Sequence, residues 1–249
     1  MTKVANPINK EDVDLNTYEG IAEFYDELMT KGYYDYDELT KELGLIIGER
    51  REILELGVGT GLVAELLLKV NKQIALTGID NTEAMIKQAK DRLGDKINYE
   101  LQDVTKLALP KKYEGAFSVG GCWYFIDNGT EKSLQLCSHI DDLETSKQGL
   151  RKVVEHLEPG GILALALQPA HTNYSKDLSN ELTYSQEIFE SPNGFTKHYC
   201  FKNKDKVVAE QMYSYLVVSE NDSHDFFGDL GCKAVGLNSS RKFFIYQKG

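Results

Sequence analysis

Short apolar runs alternate with helical patterns along most of this chain, and the alternation predicts an α/β fold. Five apolar runs predict buried strands, at 53–56, 74–79, 97–101, 116–119 and 162–167. Between them, apolar residues recur every three or four positions, which indicates amphipathic helices. Strands joined through helices pair in parallel, so the pattern predicts a Rossmann-like, doubly wound, mostly parallel sheet of about seven strands.

The chain before the first strand predicts two helices. Ile21, Phe24, Tyr25 and Leu28 are spaced three and four residues apart and form one helical face. A second apolar face of the same kind follows before the first strand. We therefore predict an N-terminal helical cap over 17–48 that packs against the sheet or covers a ligand site.

The pattern changes after the fifth strand. Residues 170–192 are polar and predict an irregular segment, whereas 195–201 and 207–218 predict a long antiparallel hairpin. A short helix at 225–230 and a final strand at 243–247 complete the pattern.

The length and the unbroken pattern predict one domain. The chain has 249 residues, which suits one α/β domain with additional elements, and no repeat or low-complexity linker interrupts it. We expect a single domain over 1–249, in which the hairpin after the fifth strand forms a substrate lid inserted over 170–220.

Three glycines at alternate positions, Gly57, Gly59 and Gly61, follow the first strand directly and precede a helical pattern. Glycine permits a sharp strand-to-helix turn and lets the backbone approach a ligand closely. The second strand ends at Asp80, about 20 residues further on, where nucleotide-binding α/β folds place the acid that binds ribose hydroxyls. The segment therefore predicts a site for a nucleoside.

The spacing of the glycines separates two kinds of nucleotide site. The dinucleotide fingerprint is G-x-G-x-x-G, whereas residues 55–61 read ELGVGTG and contain no basic residue. An NAD-linked dehydrogenase is therefore disfavoured. The segment resembles the first motif of class I S-adenosylmethionine-dependent methyltransferases, and residues 78–89, GIDNTEAMIKQA, resemble the next motif of that family. The alternative for both segments is an ordinary βαβ turn with a core-facing helix.

The resemblance implies S-adenosylmethionine as the cofactor. It implies that Asp103 accepts a hydrogen bond from the adenine amino group and that Val104 packs near the ring, while the alternative for Asp103 is a helix N-cap. Gly120 lies in the loop after the fourth strand, where the resemblance places the methyl-donating end of the cofactor. The motifs imply further cofactor-binding residues, which are Glu55, Gly57, Gly59, Gly61, Asp80, Asn81 and Met85.

The N-terminal helices also resemble a known family. Residues 18–26, YEGIAEFYD, with Asp35 and Tyr36, are similar to the same region of small-molecule methyltransferases, especially the amino-sugar N-methyltransferases. This implies that Tyr18 faces the substrate and that Tyr25 and Tyr36 close over the cofactor. A tyrosine ring suits a sulfonium through cation–π attraction. The alternative is that aromatic residues at helical spacing belong to the core.

Two residues are candidates for acting on the methyl acceptor. His171 follows the fifth strand at the carboxyl edge of the sheet and is the best placed histidine for a general base. Tyr18 is the alternative, as a hydrogen-bonding residue that orients the substrate, and each residue also has a packing interpretation. The loop after the fourth strand lacks the histidine that amino-sugar enzymes place there, which weakens the inference of an amino-sugar substrate and leaves the cofactor inference intact.

These motifs predict an enzyme that methylates nitrogen or oxygen of a small metabolite or natural-product intermediate. A second hypothesis is another use of the same cofactor, in which its aminobutyrate arm is displaced to form a ring. A third is a protein that binds the cofactor without turnover, which the intact glycines and the intact Asp80 and Asp103 disfavour.

Charge and cysteine spacing restrict the partners. The net charge is −11, which argues against a nucleic-acid partner, and we interpret Lys197, Lys202, Lys204 and Lys206 as a solvated hairpin surface. The chain shows neither a leader nor a membrane span, and its cysteines show no metal-ligand spacing, so we expect a cytoplasmic protein without a metal. A strand edge in the lid predicts a monomer or homodimer.

Overall fold

The computed structural model describes residues 18–31, 34–128, 134–179 and 181–249. Within these ranges the α-helices are α1 (Ala22–Thr30), α2 (Tyr36–Ile47), α3 (Leu62–Val70), α4 (Glu83–Leu93), α5 (Leu143–Glu155) and α6 (Glu220–Asp229). The strands are β1 (Glu52–Leu56), β2 (Ala75–Asp80), β3 (Asn98–Leu101), β4 (Tyr113–Ser118), β5 (Trp123–Asp127), β6 (Leu134–Ser138), β7 (Leu157–Pro169), β8 (Tyr174–Asp177), β9 (Leu182–Ser191), β10 (Gly194–Asn203), β11 (Lys206–Ser219), β12 (Cys232–Leu237) and β13 (Phe243–Lys248). Short 3₁₀ turns occur at Glu19–Ile21, Gly94–Lys96 and Val104–Lys106.

The first sheet has the strand order β3-β2-β1-β4-β7-β13-β12. The pairs among β1, β2, β3, β4 and β7 are parallel, and β13 runs against both of its neighbours. The apolar faces of α2, α3 and α4 pack on one side of this sheet, and those of α5 and α6 pack on the other. The predicted α/β fold with a doubly wound, mostly parallel sheet is confirmed.

The sequence of α2 shows how these layers form. Asp35 precedes the helix, and its carboxylate accepts a hydrogen bond from the Glu38 amide at 3.0 Å, which caps the first turn. Leu39, Leu43 and Ile47 recur every four residues and are buried in the cluster that packs on the sheet. The second predicted N-terminal helix is therefore an amphipathic helix with a defined start.

A second, mostly antiparallel sheet extends from the end of β7. β5 pairs in parallel with the last residues of β7, at Phe125 with Leu167 and at Asp127 with Pro169. The order then continues as β5-β6-β11-β10-β9-β8, with antiparallel neighbours throughout. The predicted hairpin corresponds to β10 and β11, which form the middle of this larger sheet.

The second sheet corrects the interpretation of two segments. The prediction of an irregular segment over 170–192 is wrong, because it contains all of β8 and β9. The loop after β4 likewise leads into β5 and β6, which the sequence pattern does not predict. Tyr184 and Gln186 are both buried positions of β9, and a polar residue such as Gln186 at an inward position hides the apolar alternation that marks a strand.

Some expectations fall on residues that the structure does not describe. Residues 1–17 of the predicted domain, residues 32–33 of the predicted cap and residue 180 of the predicted lid lie outside the described ranges. Among the described helices, none is long and apolar enough to cross a membrane.

Candidate active site

The glycine-rich segment forms a tight turn between β1 and α3. The amides of Gly57 and Val58 both donate to the carbonyl of Ile79 at the end of β2, at 2.9 and 2.8 Å. Gly57 has a φ of +76°, and a Cβ placed on it would lie 2.9 Å from the Cα of Gly121. Because L side chains rarely adopt this backbone region and no space remains here, the turn requires glycine at position 57.

Asp80 holds the turn against the end of β2. Its Oδ2 accepts from the amide of Gly59 at 2.9 Å, and its Oδ1 accepts from the amide of Thr82 at 2.9 Å. Burial raises the pKa of the Asp80 carboxyl, while these two backbone hydrogen bonds favour the ionised form and oppose the shift. A half-buried carboxylate therefore lies beside the glycine turn at the carboxyl edge of the sheet.

A cleft of about 250 Å³ opens at this edge, between the glycine turn, the loop after β4, the first described residues and β11. Most of the residues predicted to bind the cofactor or the substrate line it. They are Tyr18, Tyr25, Gly57, Gly59, Asp80, Asn81, Met85, Asp103, Val104 and Gly120.

Four predicted residues do not line this cleft. Gly61 begins α3, and a Cβ on it would meet Ala89 and Leu93 of α4, so its position serves helix packing. Tyr36 packs edge-on against Tyr34, with ring centroids 5.4 Å apart. The other two predicted residues outside the cleft are Glu55 and His171.

Glu55 is buried beneath the turn, with 2% of its surface exposed. Its Oε2 has no hydrogen-bond partner among the described residues. Burial raises the pKa of Glu55 well above its usual range, and the nearby charge of Asp80 adds to the shift. The carboxyl is thus a buried polar group with hydrogen-bonding capacity to spare next to the ligand cleft.

Asp103 caps a 3₁₀ turn, which was the alternative considered for it. Its Oδ1 accepts from the amide of Thr105 at 2.9 Å and from the Thr105 hydroxyl at 2.7 Å at the start of the turn Val104–Lys106. Asp103 also lines the cleft. The N-cap therefore fixes the carboxylate at the cleft wall.

The N-terminal helix is fastened over the cleft by polar contacts. Asp26 of α1 accepts hydrogen bonds from the hydroxyl of Thr60 in the glycine turn and from the guanidinium of Arg92 in α4. The side-chain amide of Gln88 donates to the carbonyl of Ala22 at 2.7 Å. These contacts connect α1 to the turn and to α4, and they hold Tyr25 of α1 at the cleft.

A smaller inner chamber adjoins the cleft on the side of the second sheet. Its volume is about 20 Å³, which is room for one small group. Tyr18, Tyr25, Gly120 and His139 line both cavities, so the two share a wall. The remaining lining of the inner chamber comes from Met29, Tyr34, Tyr124, Gln168, His171, Tyr199 and Tyr215.

Three tyrosine hydroxyls converge in the inner chamber. The hydroxyls of Tyr199 and Tyr215 lie 2.9 Å apart, and each lies 3.4 Å from the hydroxyl of Tyr18. Burial raises the pKa values of all three phenols, so all three are neutral hydroxyls near pH 7. They can donate or accept hydrogen bonds toward a bound group.

The two histidines of the inner chamber are neutral near pH 7. Burial lowers the pKa of His139 to about 3 and that of His171 to about 3, and the positive charge of Lys197 adds to both shifts. The Nε2 of His171 lies 2.8 Å from the hydroxyl of Tyr124. The Tyr124 side chain therefore holds His171 at the chamber wall.

Sequence reasoning missed several residues of the inner chamber. The interpretation of Lys197 as a solvated lysine is wrong, because its side chain is completely buried on β10. The sequence pattern also does not indicate His139, Tyr199 or Tyr215 as site residues. The period of two in β10 and β11, which places aromatic residues on one face, is the signal that identifies the two tyrosines, whereas His139 follows β6 and has no such signal.

Comparisons with known proteins agree with this geometry. The CcbJ methyltransferase from Streptomyces caelestis superposes with a TM-score of 0.70 at 18% identity, covering 94% of this chain and 99% of that one. The amino pentose methyltransferase CalS10 from Micromonospora echinaspora, solved with S-adenosylmethionine bound, superposes with a TM-score of 0.66 at 13% identity over 90% and 96% of the two chains. At these identities the likeness shows the fold.

The sequence matches indicate the enzyme class. Residues 53–142 match the family model of a methyltransferase domain. The matched domain and the methyltransferase relatives support the predicted class, an S-adenosylmethionine-dependent methyltransferase. The malonyl-[acyl-carrier protein] O-methyltransferase 2 of Ilyobacter polytropus is 27% identical to this methyltransferase over 203 residues, which are 77% of this chain and 69% of that protein. The malonyl-[acyl-carrier protein] O-methyltransferase of Bacillus anthracis is 32% identical over 174 residues, which are 65% and 57%.

These matches confirm the predicted enzyme class and the predicted cofactor. The residues of this methyltransferase fit S-adenosylmethionine, because a Cβ added to Gly59 meets nothing within 4 Å and Glu55 Oε2 has spare hydrogen-bonding capacity. No group of histidine, cysteine and acidic side chains suited to a metal ion occurs within the described part of the chain.

We predict that Gly59→Ala weakens cofactor binding, and Gly94→Ala is its matched control. Both glycines have similar positive φ values, +54° and +57°, and an added Cβ meets no neighbour at either position. Each substitution should cost about 1 kcal/mol of unfolding free energy through backbone strain. Because Gly59 lines the cleft, only Gly59→Ala should weaken S-adenosylhomocysteine binding in calorimetry, by about tenfold or more. Equal affinities for the two variants would contradict this role of Gly59.

We predict that His139 makes the fold sensitive to acid. Its folded pKa of about 3 lies below the unfolded value of about 6.5, so the unfolded chain binds the proton first as the pH falls. The stability is therefore complete above pH 6.5 and decreases toward pH 3, with a loss of about 2 kcal/mol from this residue by pH 5.

Urea unfolding at pH 7 and pH 5 measures this loss. His139→Gln should lose about 2 kcal/mol less than the parent chain between the two pH values, whereas the control His198→Gln should behave as the parent does. An unchanged pH dependence in His139→Gln would refute the assignment.

Proposed function

We propose that this methyltransferase transfers a methyl group to nitrogen or oxygen of a small molecule whose acceptor atom lies in the inner chamber. The observation that carries the proposal is the shared wall of the cleft and the inner chamber, formed by Tyr18, Tyr25, Gly120 and His139. A methyl donor in the cleft and a methyl acceptor in the inner chamber would meet where these residues line both cavities. Proximity and alignment of this kind supply most of the rate in such transfers.

The residues of the cleft suit each part of the cofactor. We infer that Asp80 accepts from the ribose hydroxyls, that Asp103 accepts from the adenine amino group, and that Met85 and Val104 pack beside the ring. The cofactor supplies an electrophilic methyl group on a sulfonium when it is bound. Gly57 and Gly59 allow the backbone to approach, and the face of Tyr25 offers cation–π attraction near the cleft.

The same residues keep water away from the acceptor. Tyr18 and Tyr25 cover the junction of the two cavities from the N-terminal side, and the second sheet covers it from the other side. We propose that residues 17–48 act as a cap and residues 170–220 as a substrate lid of a single domain. A closed, dry chamber strengthens every hydrogen bond to the reacting group.

We propose that His171 and Tyr18 position the acceptor. The lowered pKa of His171 keeps its imidazole neutral at pH 7, with one nitrogen that donates and one that accepts, so the ring can hydrogen-bond to the acceptor group and hold it in line. Tyr18 contributes its hydroxyl to the converging tyrosine hydroxyls in the inner chamber. Positioning by these two residues needs no proton transfer to the imidazole.

The relatives do not choose between nitrogen and oxygen. One curated relative is a malonyl-[acyl-carrier protein] O-methyltransferase, and one structural neighbour is an amino pentose methyltransferase. The identity of the methyl acceptor must therefore be inferred from the residues of this chain's own inner chamber. The net charge of −11 supports a substrate other than nucleic acid, and we propose a cytoplasmic monomer or homodimer.

A transfer assay with isotope-labelled methyl groups tests the proposal. The enzyme, S-adenosylmethionine and a panel of small amines, alcohols and carboxylic acids should give a product heavier by one methyl group. A product formed from the cofactor alone would instead indicate ring formation by its own side chain.

With the accepted substrate, we predict that His171→Gln and Tyr18→Phe each lower the single-turnover rate by about tenfold, because each removes a hydrogen bond that orients the acceptor. The affinity for S-adenosylhomocysteine should stay unchanged in His171→Gln, which does not line the cleft. The control His198→Gln should retain the parent rate. A His171→Gln rate equal to that of the parent would exclude the positioning role.

A further inference from the structure

Lys197 is a buried lysine on the face of β10 that carries the tyrosines of the inner chamber. It stands opposite Tyr213 of β11 and two residues before Tyr199 in its own strand, so all three side chains project from the same face. Its exposure is 0%, and its Nζ lies 4.4 Å from the centroid of the Tyr199 ring. Burying an ammonium group is costly, so its retention here points to a use.

The charge of Lys197 acts on the inner chamber. It lowers the pKa values of His139 and His171, which line the chamber from the segments after β6 and β7. The geometry agrees, because the ring of Tyr213, the residue opposite Lys197 in β11, lies with its centroid 4.9 Å from that of His139. The titratable groups around it come from every element that packs there, and they are Tyr18, Tyr124, Cys137, His139, His171, Tyr199, Tyr213 and Tyr215.

The inner chamber offers no negative charge. Among the described residues that line it, none is aspartate or glutamate, whereas three tyrosine hydroxyls converge and two histidines are neutral. The carboxylates of this region, Asp80 and Asp103, line the cleft and not the inner chamber. A cationic group would therefore lack a counter-charge in the chamber, and an anionic oxygen would find hydroxyl donors and a nearby ammonium.

We propose that Lys197 is a substrate-positioning residue and that the substrate carries a carboxylate, which the tyrosine hydroxyls and the Lys197 charge hold in the inner chamber. This inference rests on the proposed function and narrows its substrate class to carboxylic acids. Tyr18, Tyr199 and Tyr215 donate hydrogen bonds to the carboxylate, and Lys197 balances its charge from behind Tyr199. The same arrangement disfavours an acceptor that arrives as an ammonium ion.

The proposal has a consequence for the pH dependence of binding. Burial lowers the pKa of Lys197 to about 7, so the residue loses its charge as the pH rises above neutrality. The histidines nearby have pKa values of about 3, and burial raises the pKa values of Tyr18, Tyr199, Tyr213, Tyr215 and Cys137, so Lys197 is the one among these groups that changes charge between pH 6 and 9. A permanently ionised carboxylate should therefore bind more weakly as the pH rises, by up to about tenfold per unit above 7.

Three probes of similar length distinguish the possible charges of the substrate group in the inner chamber. Butyrate, butyramide and butylamine are titrated into the S-adenosylhomocysteine-loaded enzyme, and binding is followed by ligand-observed NMR from pH 6 to pH 9. At pH 6.5, butyrate should bind about tenfold more tightly than butyramide, since a hydrogen bond to a charged group is worth more than a neutral one, and butylamine should bind most weakly. The preference for butyrate should disappear toward pH 9.

A pair of variants assigns the preference to the buried lysine. Lys197→Met removes the charge at similar length and should abolish both the preference for butyrate and its pH dependence, whereas Lys202→Met, at an exposed position of the same strand, should retain both. Butyrate that binds no better than butyramide in the parent enzyme, or a preference for butylamine, would overturn the proposal even if Lys197→Met does not fold. Failure of S-adenosylhomocysteine to bind would instead count against the proposed function itself.

Discussion

The hydrogen bonding of β7 determines where the two cavities of this enzyme lie. Residues 162–166 of this strand pair with β13 and, over most of that range, with β4, which places them in the middle of the first sheet. Residues 167–169 pair instead with β5 and begin the second sheet. One strand thus carries both sheets, and it joins them at the carboxyl edge where the glycine turn also lies. The inner chamber adjoins the cleft because the second sheet starts at this edge.

The charges are divided between the two cavities. Carboxylates at Asp80 and Asp103 stand at the cleft, where each is fixed by backbone amides and where a nucleoside offers hydroxyl and amino donors. The inner chamber has hydroxyls, neutral histidines and the charge of Lys197 behind its wall. This division agrees with the two proposals above, which place a nucleoside with its hydroxyl and amino donors in the cleft and an anionic group in the inner chamber.

Local patterns in the sequence predict the first sheet and the cleft, while they do not predict the inner chamber. The turn at Gly57 and Gly59 and the acid at Asp80 can be predicted from the sequence, because backbone geometry and ligand chemistry both act within a short segment. The second sheet depends on pairings between distant segments, such as β6 with β11, and its inward positions include Lys197 and Gln186. A polar residue at an inward position resembles a surface residue in the sequence pattern until its partners are known, and for this reason the pattern predicts a solvated Lys197.

Calorimetric titration of the full chain with S-adenosylmethionine, S-adenosylhomocysteine and NAD tests the central claim, that the cleft beside the glycine turn binds the methyl donor. The account predicts that one molecule of either sulfur compound binds per chain, that NAD does not bind, and that Asp80→Asn weakens both sulfur ligands by about tenfold or more, since the amide offers one acceptor oxygen in place of two. Tight binding of NAD, or affinity for S-adenosylmethionine that Asp80→Asn leaves unchanged, would contradict it.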